Sequence, residues 1–220
     1  MRSVFFVLVV AVAGLAILMS LGFWQLRRLE WKESLIGQAE AMIAIAPVPL
    51  PAAPDPGRDR YRAVTVTGRF TGEETHVLTS SETGPGFLIV AAFETDDGRR
   101  ILVDRGFVPE AARQATHPAK PASVTGNLNW PDDVTSSTPP YDAKAGLWFG
   151  RDVAGIAAQL QTLPILVVAR DDTGDAIRAV PVTAVFRNNH LGYAIQWFGL
   201  AAVWAGMTVL YLWRIRPRQA

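Results

Sequence analysis

A chain of 220 residues that is 50% hydrophobic, 19% charged and of mean hydropathy +0.18 is too apolar for an ordinary soluble domain or a disordered chain. The absence of cysteine excludes a disulfide framework, thiolate zinc sites, iron–sulfur clusters and a cysteine-based copper relay. A net charge of +1 argues against nucleic acid as a partner, since phosphate recognition needs a marked basic excess.

The first predicted element is an apolar helix. Residues 4–23 read VFFVLVVAVAGLAILMSLGF, without a charge. Such a run is long enough to cross a hydrocarbon core of roughly 30 Å. A cleavable leader would have an apolar stretch of roughly 7–15 residues ending in a small-residue cleavage site. This run is longer and flows into the amphipathic WQLRRLEWKESLI, so it reads as an anchor. No Arg- and Ser-rich transit segment precedes it, which points to a bacterial plasma membrane rather than an organelle. Leu26, Leu29, Leu35, Ile36, Ala39, Met42 and Ile43 continue the helical spacing to about residue 44. Pro47, Pro49, Pro51, Pro54 and Pro56 then mark a stiff, extended linker.

From Tyr61 onward the period changes to that of short strands. YRAVTVTGRF, HVLTS, GFLIVAAFET, RRILVDRGFVP, SVTGNLNW and LPILVVARD are the strand candidates. Asp97-Gly98 is expected to supply the positive φ angles of a hairpin turn. WFGRDVAGIAAQLQ is expected to form one short helix. The expected architecture is a mainly antiparallel β (α+β) extracytoplasmic domain, either a small barrel or an open sheet, flanked by N- and C-terminal transmembrane helices.

The last element, residues 191–213, is a second uncharged apolar run of spanning length. The expected organisation is therefore a cytoplasmic N-tail (1–3), a first span (4–23), a helical extension with the proline linker (24–60), a periplasmic domain (61–190), a second span (191–213) and a basic cytoplasmic tail (214–220). Arg2, Arg214, Arg216 and Arg218 lie outside the central segment, which keeps the other 17 of 21 basic residues against all 20 acidic ones, a net −3. The positive-inside rule then puts both tails in the cytoplasm. Trp24, Trp31, Tyr193, Trp197, Tyr211 and Trp213 stand near the span ends, where an interfacial aromatic belt belongs, in contact with lipid headgroups.

No catalytic constellation is visible. There is no phosphate loop, no HExxH and no Gly-x-Ser-x-Gly, and TGEETHV lacks the Lys-Ser/Thr pair of a P-loop. Asp96-Asp97, Asp132-Asp133 and Asp171-Asp172 read as solvated turns, and His76 and His117 as ordinary surface or half-buried residues. His190 differs, because it stands at the threshold of the second apolar run in Arg187-Asn188-Asn189-His190. A helix cap explains the asparagines but not the histidine. On a helix His190 shares a face with Tyr193, Ala194, Trp197, Ala201 and Trp204. Two readings stay open. A lipophilic tetrapyrrole could be ligated by the imidazole and packed by the rings. Alternatively, the stripe could pack helix on helix. In that case the small pairs Ala201/Ala205 and Ala202/Gly206 would dock Ala11, Gly14, Ala16 and Ser20 of the first span, within one chain or between two.

LGFWQLRRLEWK, RRILVDRGFVP, WFGRDVAGIA and RNNHLGYAIQWFGLA occur in one order along the chain. Together they resemble the Surfeit locus protein one family of cytochrome c oxidase assembly factors, over essentially the whole chain. Phe107 stands where the family usually has Trp, and Gln196 where it commonly has Thr. The resemblance implies a non-enzymatic membrane protein of respiratory-chain biogenesis that binds haem a as cargo. It would assist haem insertion into subunit I of a haem–copper oxidase, with haem a synthase as a second candidate partner. It implies that His190 and Tyr193 match the family's histidine and tyrosine, and with the helical face this makes His190 the expected axial ligand of the haem iron, Tyr193 and Trp197 the expected pocket lining, and Arg187, by its position, a partner for a propionate, a role also open to Arg27 or Arg28. The alternative is a scaffold that stabilises a subunit I intermediate without carrying haem.

Overall fold

The computed structural model describes residues 2–82, 84–184 and 188–215. The chain divides into two compact units, Met1–Gln38 with Val185–Ala220, and Ala39–Ala184.

The first unit holds the first of two long helices up to Gln38 and all of the second, and the end of the first helix, residues 39–44, belongs to the second unit. Helix α1 (Arg2–Ala44) and helix α3 (His190–Arg214) are each long and apolar enough to cross a membrane. Large side chains of α3 sit over glycines of α1. A Cβ at Gly14 would lie 2.8 Å from the Trp204 ring, and one at Gly22 would overlap Phe198. Phe23 meets Phe198 edge to face at 5.4 Å, and the Trp204 indole N–H donates to the carbonyl of Ala11 at 3.0 Å. The expected pairing of small residues is therefore only partly present. Ala194 and Ala201 are buried, but Ala202, Gly206, Ala16 and Ser20 are exposed. The contact works by ring into glycine notch, which lets the backbones approach closely.

The second unit is a mixed sheet with one short α-helix. Its strands are β1 (Val48–Pro49), β2 (Ala63–Ser81), β3 (Gly84–Thr95), β4 (Arg100–Pro109), β5 (Lys120–Leu128), β6 (Leu147–Trp148) and β7 (Leu166–Ala169). The long pairings β2–β3, β3–β4 and β2–β5 are antiparallel, as is β5–β7. The pairings β1–β2, β2–β6 and β4–β7 are parallel, so the sheet is mixed rather than uniformly antiparallel. Pairing runs β2–β3–β4–β7–β5, and β5 pairs again with β2.

β2 joins two runs that alternation alone would separate. The register shifts between Phe70 and Glu74, where Gly72 takes φ +85°. Such a bulge bends a strand and changes its partners. Before it β2 pairs with β5, and after it with β6. β3 is apolar on nearly every residue because both faces are covered. Ala91 and Phe93 enter one core cluster with Phe70, Ile101 and Leu128. Leu88, Val90 and Ala92 meet Ile156, Ala157 and Leu160 of helix α2 (Val153–Leu160) on the other.

Two local readings are corrected. In the β3–β4 hairpin only Gly98 has positive φ (+82°), and Asp97 does not. Gly98 N–H closes a turn onto Thr95, while Thr95 N–H bonds the Arg99 carbonyl. This is the three-residue hairpin, in which a single left-handed residue suffices. Helix α2 starts only at Val153, because the Asp152 side chain caps it by accepting from Gly155 N–H at 3.0 Å. Leu147 and Trp148 lie in β6 instead.

The proline-rich stretch is held on the sheet by Arg99, which donates to the carbonyls of Leu50 (3.2 Å) and Pro51 (2.5 Å). The free carbonyl of Ile43, in the last turn of α1, accepts from Asn127 (3.4 Å) and from Arg170. Buried Asn127 also donates to Tyr61 O at 2.8 Å and accepts from Arg170 Nε at 2.9 Å.

Candidate functional site

His190 is the first residue of α3. Asn189 occupies the N-cap position, but its side chain makes no capping hydrogen bond, and the buried Oδ1 of Asn188 has no partner. The asparagines therefore do not cap the helix as expected, although Tyr193 N–H bonds the Asn189 carbonyl at 3.2 Å.

The imidazole of His190 is fixed from α1. Its Nδ1 lies 2.8 Å from Oε1 of Gln25. A carboxamide oxygen can only accept, so in the neutral ring Nδ1 carries the proton and the lone pair is on Nε2. This arrangement, with one nitrogen donating to an oxygen and the other unprotonated, is how proteins present histidine to a metal. Gln25 is 8% exposed, although its neighbour Trp24 is 55% exposed.

The expected aromatic stripe is divided between two roles. Ala194, Ala201 and Trp204 are spent on packing against α1. Tyr193 is half exposed and Trp197 half buried, one and two turns along α3 from His190. Arg187 lies outside the described residues, and Arg27 and Arg28 are exposed, with Arg28 over the Trp31 ring at 3.9 Å. An apolar groove of about 290 Å³ lies further along the helices, between Phe6, Val10 and Ala11 of α1 and Trp204, Met207 and Tyr211 of α3. Of the stripe only Trp204 lines it; His190, Tyr193 and Trp197 do not.

In the sheet unit His76 is half-buried, as expected, whereas His117 is more buried than its sequence context suggests. His117 is 5% exposed, with Nδ1 2.8 Å from Glu74 Oε1. His76 stacks edge-on against Phe87, and burial holds its pKa below the ordinary value. Among the described residues no group of three or more His, Asp or Glu could hold a metal ion. The acidic pairs are structural. Asp97 binds Arg99, Asp133 binds Arg151, and Asp172 accepts from Ala179 N–H.

The sequence matches the SURF1 family over residues 12–202. The chain belongs to the SURF1 family. Surfeit locus protein 1 of Rattus norvegicus is 30% identical over 220 residues, covering 88% of this chain and 70% of the rat protein. The human Surfeit locus protein 1 is 30% identical over 221 residues, covering 88% and 71%. A SURF1-like protein of Rickettsia bellii is 29% identical over 211 residues, covering 89% and 85%.

In this SURF1-family chain the motif RRILVDRGFVP is a buried charge network rather than an exposed site. Asp104 accepts from Gly106 N–H (3.1 Å) and from Arg151 (3.3 Å), and burial raises its carboxyl above the ordinary range. Arg105, 1% exposed, bonds Thr173 (2.9 Å) and Asp175 (2.5 Å) and covers the Phe70 ring at 4.4 Å. Sequence reasoning missed Gln25. The available signal was its place in LGFWQLRRLEWK, an uncharged polar residue between an apolar run and a basic pair.

Proposed function

We propose that this chain is a two-span membrane assembly factor for a haem–copper (cytochrome c) oxidase, carrying haem a as cargo and helping to insert it into subunit I. Both tails face the cytoplasm of a bacterium and the sheet unit, a small barrel, faces the periplasm. Membership of the SURF1 family and the two apolar terminal helices support this reading.

The observation that carries haem binding is the Gln25–His190 hydrogen bond, which in the neutral ring leaves the lone pair on Nε2 at the head of α3. Tyr193 and Trp197 supply ring surface beside it, and Arg187 pairs with a propionate. One axial nitrogen and an apolar surround suit a carrier that must also release its cargo. Subunit I receives the haem, and haem a synthase is a candidate donor. No step in this role requires catalysis.

One observation favours a second reading, a scaffold that carries no haem. Ala194, Ala201 and Trp204, half of the aromatic and small-residue stripe, are used in helix packing.

The test is the absorption spectrum of full-length protein purified in detergent from cells that make haem a, with pyridine haemochrome identification. The expected result is a haem a signal that is lost in His190→Ala. A colourless, folded protein that still co-purifies with subunit I would establish the scaffold instead.

A further inference from the structure

We infer that Gln25 is the positioning residue of the His190 ligand, and that its neutral amide is what makes the bound haem releasable. The inference rests on the haem-carrier reading and goes beyond it to the control of ligand strength.

Three observations carry it. Gln25 is only 8% exposed, in a segment whose neighbours Phe23, Trp24, Arg27 and Arg28 are exposed. A buried carboxamide must find a partner, and Gln25 finds one 165 positions away in sequence. The partner atom is Nδ1, so the bond selects the tautomer with the lone pair on Nε2. Without it an imidazole prefers its proton on Nε2, which blocks ligation until the proton moves. The bond also fixes the ring about χ1 and χ2, so no rotamer freedom is lost when a metal binds.

The chemical identity of the acceptor sets the donor strength. A carboxylate at this position would draw the Nδ1 proton, give the ring imidazolate character and strengthen its bond to ferric iron. A carboxamide carries no charge, so it accepts the Nδ1 hydrogen bond without drawing the proton away from the ring. A carrier needs that compromise, because the receiving site must be able to compete for the iron.

The experiment uses full-length protein in detergent, with haem a as the probe and Gln25→Leu, Gln25→Glu and His190→Ala as variants. In haem-free protein, 15N NMR of the His190 ring should show Nδ1–H in the wild type and Nε2–H in Gln25→Leu. With haem a, Gln25→Leu should lose about 10–100-fold in affinity. Gln25→Glu should bind ferric haem a more tightly, release it more slowly and lower its midpoint potential. The iron–histidine stretch by resonance Raman should rise in Gln25→Glu. If His190→Ala keeps its haem and spectrum unchanged, the carrier reading itself fails. If His190→Ala loses haem while both Gln25 variants match wild type in tautomer, affinity and potential, only the positioning role fails. A Gln25→Leu protein that does not fold leaves the decision to Gln25→Glu. That variant keeps the shape and the hydrogen bond, and an unchanged potential in it overturns the inference.

Discussion

Gly106 and Gly84 share a φ of +118°, a backbone conformation that side chains other than glycine rarely adopt. Their surroundings are opposite. A Cβ at Gly84 would meet nothing within 4 Å. A Cβ at Gly106 would overlap the carbonyl oxygen of Arg178 and lie 2.7 Å from the Cα of Ala179. The obstacle is backbone, so the Arg178–Ala179 segment must move. Its movement breaks the pair Phe107 N–H to Arg178 O (2.7 Å) and Arg178 N–H to Phe107 O (3.1 Å). Gly84→Ala therefore carries only conformational strain, about 1–2 kcal/mol. Gly106→Ala carries the same strain plus two hydrogen bonds at about 1 kcal/mol each, giving about 3–4 kcal/mol. At about 3 °C per kcal/mol for a chain of this size, Gly106→Ala should lower Tm by about 10 °C and Gly84→Ala by about 4 °C. Thermal unfolding of full-length protein in detergent, followed by near-UV circular dichroism, reads both. If the two variants melt within about 2 °C of each other, crowding at Gly106 is not what requires glycine there.

Asp104→Asn should cost less stability than Asp104→Ala, because asparagine can still accept from Gly106 while removing a buried charge; the alanine variant should lose about 1–3 kcal/mol by the same melting assay. Burial raises the Asp104 pKa, so its contribution is present below the ordinary carboxylate value of about 3.9 and is lost as pH rises through the raised value. Wild type should gain on Asp104→Asn in Tm when pH falls from 8 to about 4, and a pH-independent difference would refute the assignment. His76 behaves oppositely. Burial lowers its pKa, so its contribution is present above about 6.5 and is lost as pH falls through the lowered value. The Tm advantage of wild type over His76→Gln should shrink from pH 8 to pH 5, and equal differences at both would contradict burial of a neutral ring. In the helical unit Gly14→Ala should lower the melting temperature, because its Cβ would press on the Trp204 ring, whereas Gly199→Ala, with open space around it, should leave the temperature unchanged or raise it; the opposite order would mean that Trp204 does not occupy the Gly14 notch.

The features legible in the sequence are those decided by neighbours along the chain. Uncharged runs at 4–23 and 191–213 announce the long helices, and Pro47 stands just beyond the end of α1 at Ala44. Gly98 marks the hairpin, although the turn needs only that one residue at positive φ. Asp152 is a readable cap, yet the apolar Leu147–Phe149 upstream resembles one more helical turn and in fact supplies β6. What was not legible depends on distant partners. His117 is buried because Glu74, 43 positions earlier, bonds it. β7 lies between β4 and β5, a placement that no local period encodes. The candidate site divides in the same way. His190 stood out by its position at the head of an apolar run, but its ring orientation depends on Gln25, 165 residues distant.

The circuit of strand pairings has a consequence for how the sheet unit is made. β2, β3 and β4 are consecutive and can zip up as hairpins soon after synthesis. The outer edges of that three-stranded piece belong to β5 and β7, and β7 is complete only at Ala169, almost the last of the residues 39–184. Until then β4 presents a bare edge with Leu102 and Val103 on it, a template for pairing with any other extended chain. The nascent protein must therefore be protected by a chaperone, or extended faster than it can associate, while residues 110–169 are made. Truncations ending before Leu166 should aggregate rather than yield a smaller folded sheet.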